Sequence, residues 1–337
     1  MKRAILFLLG FVGVSLALNL ALPVTFDDEI PAKLSAFMSQ KDQITTLFLG
    51  TSQFWRGIDP RRFDQVLETH GLASTSYNLG INRLSVFEAE VLLEKILKAR
   101  PAKLKQIVFD GRMGLGWDDE AAFSALERDV YWRSLSLGWT DVFFRLKAVL
   151  QLKNRDSVIY LSRAIASTVE KAVNHGRLRT LLQSAPPIDA GLPVTFSGEF
   201  RGFKPLDGET DAKLLSMRKI MLERWPEFVE RVKRASESQI PPVILEEDPA
   251  GARFSRLVEL ARSHGLEVAV VTVPSPTHAV FPVQECMGRG SPCRWVDFSQ
   301  GPGFPELYKP EYFYDFYHLN QRGAEVYSGK LAEELIR

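Results

Sequence analysis

Residues Ile44-Thr45-Thr46-Leu47-Phe48-Leu49-Gly50-Thr51-Ser52 decide how this chain is read. A compact β-branched and apolar run, closed by glycine and two hydroxyl residues, predicts a buried strand that ends in a turn. The pattern then alternates. Pro60 to His70 reads as a helix, Thr75 to Leu79 as a strand ending at Gly80, and Ser85 to Ala99 as a helix. Ser85 is placed to cap that last helix, with Glu88 three residues on. Leu104 to Phe109 is a further strand, ending at Asp110-Gly111-Arg112. Strand, helix, strand, helix, strand at this spacing predicts an α/β fold with a mainly parallel sheet. Its ligand crevice lies beyond the carboxyl ends of the strands, where Ser52, Gly80 and Asp110 all fall.

The chain has 337 residues, more than one compact core usually takes, so one domain with an insertion or two domains are expected. Lys and Arg total 42 and Asp and Glu 41, for a net charge of +1. That balance carries no electrostatic footprint for nucleic acid. Two cysteines exclude a four-cysteine zinc site or an iron–sulfur cluster held by this chain alone. No well-spaced set of metal ligands is present, and no cofactor is implied.

Met1-Lys2-Arg3 precedes an apolar run from Ala4 to Leu22. At about 1.5 Å per residue it nearly matches a hydrocarbon core of about 30 Å. We read residues 1–24 as an uncleaved membrane anchor with Lys2 and Arg3 on the cytoplasmic side. A cleaved signal peptide is the alternative, and a buried core helix a third. The first two put the remainder outside the cytoplasm. There Cys286 and Cys293, bracketing a turn-forming stretch, are able to pair; two separate thiols are the other option. Residues 25–43 read as a stalk, 44–112 and 241–337 as the α/β domain, and 113–240 as a mainly helical insertion. The rhythm returns with a helix from Ala252 to His264, capped by Gly265, a strand from Leu266 to Val273, and a final helix from about Asn320.

Three short pieces carry candidate chemistry: Gly50-Thr51-Ser52, Tyr77-Asn78-Leu79-Gly80, and Asp315-Phe316-Tyr317-His318. A serine hydroxyl becomes a nucleophile beside a base such as His318, which in turn needs an acceptor such as Asp315. Backbone N–H groups of Ser52 and Gly80 are candidate oxyanion donors. Taken singly, Ser52 also fits a turn or cap, and Asp315 with His318 fits a helix-start carboxylate and a surface histidine. His278, after the last long strand in a Pro-rich loop, is a candidate substrate contact, as is Asp110. His70, His175 and His264 read as surface or packing residues.

Together the three pieces resemble the SGNH (GDSL-like) hydrolases. That family has a Gly-Asp-Ser-like block after its first strand, a glycine after its second, an asparagine after its third, and Asp-x-x-His before its last helix. The resemblance implies a three-layer, flavodoxin-like α/β/α sandwich, with Ser52 as nucleophile, His318 as base and Asp315 as its orienting acid. Residues 50–60, from Gly50-Thr51-Ser52-Gln53 to Asp59-Pro60, are similar to membrane-anchored members. Those act in teichoic acid D-alanylation or beside membrane-bound O-acyltransferases. A tethered acyltransferase or esterase acting on an envelope polysaccharide is the implied function, with a multi-span acyltransferase or acyl-donor protein as partner. One departure stands out: Phe109-Asp110-Gly111-Arg112 offers no asparagine, leaving Asn82 or Arg112 as replacement donors, or no third donor at all. A protein of this fold that binds or scaffolds without catalysis is the rival reading.

Overall fold

The structure, a computed structural model, describes residues 29–82, 84–114, 200–237, 249–276 and 293–337, with isolated residues between 10 and 17 and between 142 and 169. His278, Cys286, most of the expected anchor and much of the expected insertion lie outside the described residues. Among the described residues no helix is long and apolar enough to cross a membrane, and no cysteine is free.

The chain divides into two compact units, residues 1–32 with 117–192, and residues 33–116 with 193–337. In the first, the described residues are scattered helical positions, with Val142 buried against Leu161. The second holds a five-stranded parallel sheet in the order β2-β1-β3-β4-β5. The strands are β1 (Thr46–Gly50), β2 (Ser76–Gly80), β3 (Gln106–Asp110), β4 (Glu267–Val271) and β5 (Arg294–Val296). All of β1 and β2, and all but the first residues of β3 and β4, are buried, which explains the apolar runs of β1, β3 and β4; β2 instead buries the polar Ser76 and Asn78. The chain reverses its winding at β1, so a crevice opens beyond β1 and β3. The short strand β5 escapes sequence reading because it occupies three residues, within what reads as a loop.

Helices cover both faces. On one, α3 (Pro60–Thr69) and the final helix α8 (Gln321–Ile336) set Phe63, Val66, Tyr327 and Leu331 against Phe48, Val108 and Val271. On the other, α4 (Val86–Lys98) packs beside α7 (Pro249–Ser263), and Phe254 meets Phe109 edge-on with ring centroids 6.0 Å apart. Ser85 and Glu88 form the expected capping box at the start of α4. An Arg253–Glu90 contact of 3.0 Å joins α4 and α7.

Two stretches depart from the sequence reading. Residues 25–43 read as a stalk with some helix; helix α1 (Glu29–Gln40) is there, but from Lys33 onward it packs against β2. Phe37 is fully buried and meets Tyr77 edge-on at 5.5 Å. The Tyr77 hydroxyl donates to the Lys33 carbonyl at 3.1 Å, and Lys33 Nζ donates to the Gly80 carbonyl. Residues 200–237 read as part of an insertion, yet they belong to the sheet unit. Asn78 N–H donates to Arg201 O, and Lys204 N–H to Trp55 O. After α5 (Ala212–Glu223), Phe228 and Val232 of α6 (Trp225–Glu237) join the same core as Phe48. The i, i+4 spacing of those two residues makes the stripe that faces the sheet.

The burial of Phe37 makes α1 part of the folded unit. Phe37→Ala is expected to lower the unfolding free energy by about 3 kcal/mol or more. Urea denaturation measures this; a loss below about 1 kcal/mol would mean that α1 is only loosely attached.

Candidate active site

The segment after β1 carries Ser52. Thr51 caps the short helix α2 (Ser52–Gly57), its side chain accepting from the Gln53 N–H at 3.3 Å. Thr51 is itself held by Asp110 at the end of β3: both its N–H (3.0 Å) and its hydroxyl (2.5 Å) donate to Asp110 Oδ2. Asp110 Oδ1 accepts from the Arg112 N–H at 3.0 Å. Asp110 is fully buried, and this burial raises its carboxyl above the usual carboxylate range, against the opposing effect of the three hydrogen bonds. Expected as a substrate contact, Asp110 is instead a buried brace for the turn that carries Ser52.

Two glycines allow the turn to seat. A Cβ on Gly50 would lie 2.6 Å from Asp110 Cβ and from the Phe54 ring. A Cβ on Gly80 would lie 2.2 Å from the Trp55 backbone nitrogen. Gly50 and Gly80 are register partners on adjacent strands. Ser52 and Asn82 therefore both stand two residues beyond paired strand ends, with Asn82 exposed in a turn.

The second half of the site comes from the loop before α8. Phe313 and Leu319 form an antiparallel bridge, and Tyr314 N–H donates to His318 O at 2.9 Å, closing a tight loop. Asn320 pins its far end by capping α8 through the Gly323 N–H and donating from Nδ2 to the Glu311 carbonyl. Within the loop, buried Asp315 accepts from the backbone N–H groups of Tyr317 (2.7 Å) and His318 (2.9 Å).

The two halves meet. Ser52 Oγ lies 3.1 Å from His318 Nε2, and His318 Nδ1 lies 2.9 Å from Asp315 Oδ2. A carboxylate only accepts, so the hydrogen sits on Nδ1 and Nε2 is left to accept from the Ser52 hydroxyl. Gln53 Nε2 donates to the Tyr317 carbonyl at 3.0 Å, a second link between α2 and the histidine loop. The arrangement can remove a proton from a serine hydroxyl as that oxygen attacks an acyl carbon.

The expected oxyanion donors fare differently. Ser52 is the first residue of α2, so its N–H has no partner within the helix. The Gly80 N–H, by contrast, donates to Asn78 Oδ1 at 2.8 Å, which corrects its expected role. Asn78 is the reason: buried in the middle of β2, it also donates from Nδ2 to the carbonyls of Phe54 (2.6 Å) and Ile58 (2.7 Å). Arg112 turns inward near Asp110, Asp297 and the neutral Tyr308 phenol, with Nε and Nη2 buried and unbonded, and burial lowers its pKa. His70 and His264 sit at helix ends, each with Nδ1 3.0 Å from the carbonyl four residues back. Among the described residues no group of three His, Cys, Asp or Glu is placed to hold a metal.

Sequence reasoning missed Thr51, Gln53 and Asn78. The signal for Asn78 was there: an amide inside an otherwise buried strand has to find partners. No protein-family model, curated protein or solved structure matches the chain.

Because folding raises the Asp110 carboxyl, its protonated form favours the fold. Stability is therefore lost as pH rises from the ordinary carboxyl value of about 3.9 through the higher folded value. Asp110→Asn lacks this titration. The melting temperature of the wild type is expected to fall relative to the variant from about pH 4 upward. A difference that stays constant with pH would remove the raised carboxyl from the account.

Proposed function

We propose that this protein is a serine-dependent acyltransferase or esterase acting on an envelope or exported polysaccharide. The observation that carries the reading is the unbroken relay from Ser52 through His318 to the buried Asp315. His318 takes the Ser52 proton as Oγ attacks the acyl carbonyl. It then returns the proton to the departing alcohol, leaving an acyl-serine. A sugar hydroxyl or water reverses these steps, giving transfer or hydrolysis. The Ser52 N–H is the nearest oxyanion donor, with the exposed Asn82 turn the candidate for a second.

The parallel sheet and its strand order fit the three-layer, flavodoxin-like architecture that the SGNH resemblance implies. The apolar run from Ala4 to Leu22 supports a membrane tether, with the sheet unit outside the cytoplasm and Cys286 and Cys293 paired there. A tether suits an acyl group handed over by a multi-span membrane partner, because confinement raises effective concentration without new contacts.

A second reading is a non-catalytic binding protein on the same scaffold. The engagement of the Gly80 N–H by Asn78 favours it, because that removes an expected oxyanion donor. A fluorophosphonate probe separates the two. Labelling of the wild type and its loss in Ser52→Ala are expected. Labelling of His318→Asn is expected to slow by about 10³-fold or more. Labelling that survives in Ser52→Ala would displace Ser52 as nucleophile.

A further inference from the structure

The aromatic run ahead of the histidine divides in two. Tyr312, Phe313, Tyr314 and Phe316 are buried, whereas Tyr317 is 39% exposed. Phe313 and Phe316 meet Phe228 edge-on, and Arg218 lies over the Tyr314 ring. Four rings therefore build the loop's core, and one faces solvent beside His318.

The Tyr317 backbone is fixed from both sides. Its N–H donates to Asp315 Oδ1 at 2.7 Å, and its carbonyl accepts from Gln53 Nε2 at 3.0 Å. Gln53 is only 5% exposed. Its amide cannot turn over without setting oxygen against oxygen at the Tyr317 carbonyl. The cost is visible, because Gln53 Oε1 is then a buried acceptor with no hydrogen-bond partner. The bond fixes the Tyr317 backbone, and with it the root of the exposed ring, against α2.

Chemistry indicates a use for that ring. In acyl transfer the accepting hydroxyl must give its proton to His318 Nε2, so the acceptor comes to the histidine loop, whose exposed ring is that of Tyr317, the residue before His318. An acyl chain seeks a buried apolar slot. A sugar ring presents a flat C–H face with a polar rim, which matches an exposed phenol with its apolar body and polar tip. We propose that Tyr317 is the acceptor-binding platform of this site, stacking beneath a pyranose ring, and that Gln53 is the positioning residue that holds it.

This rests on the acyl-transfer reading, but its test does not require turnover. The full chain carrying Ser52→Ala, in detergent, is titrated calorimetrically with cellohexaose and with chitohexaose. Binding of at least one is expected. Adding Tyr317→Ala should weaken it about tenfold or more, while Tyr317→Phe should hold it near the starting value. Gln53→Met should weaken it while leaving the far-ultraviolet dichroism unchanged. Absence of binding to either probe, or equal binding by Tyr317→Ala, would overturn the proposal. Sugar binding that depends on Tyr317, in a protein whose Ser52 takes no fluorophosphonate, would leave the platform standing and remove the catalytic reading.

Discussion

The segment from Gly50 to Trp55 is wedged between the ends of β2 and β3, and there is no room for a side chain at either contact. Gly50 abuts Asp110 and Phe54, and Gly80 abuts the Trp55 nitrogen. Asp110 ties Thr51 to β3, while Asn78 ties the carbonyls of Phe54 and Ile58 to β2. With both ends anchored in the sheet, the direction of Ser52 follows from the backbone and not from a mobile loop. Close packing of this kind transmits any volume change directly to Ser52.

The histidine loop is built by a different principle. It has little regular structure, and its rigidity comes from Asp315 gathering two backbone N–H groups before it meets the imidazole. One carboxylate thus shapes the loop and orients the ring. The Gln53–Tyr317 bond then locks this loop to α2, so the Ser52–His318 distance is set by two links across the site. Buried hydrogen-bonded networks of this type hold geometry best when every partner is present.

Much of the fold was legible in the sequence. Continuous apolar runs marked β1, β3 and β4, because strands covered on both faces need apolar side chains in both directions. Cap residues marked α4 and the end of α7. What escaped was short or depended on distant partners. The strand β5 has too few residues to show a period. The helix α1 reads as a stalk because the partner of Phe37, Tyr77, is 40 positions away. The place of Phe228 in the core likewise depends on Phe313 and Phe316, remote in the chain.

The site divides in the same way. By itself the sequence determined the residue types that a serine relay needs, and their order along the chain: Ser52 after one strand, Asp315 and His318 before the last helix. Tertiary structure alone decided that Ser52 and His318, 266 residues apart, come within 3.1 Å. It also turned Asp110 and Gly80 to other work, one bracing Thr51 and the other donating to Asn78. The physical reason is that residue type and local spacing are written in the chain, whereas a buried N–H or carboxylate takes whichever partner the packing brings within reach.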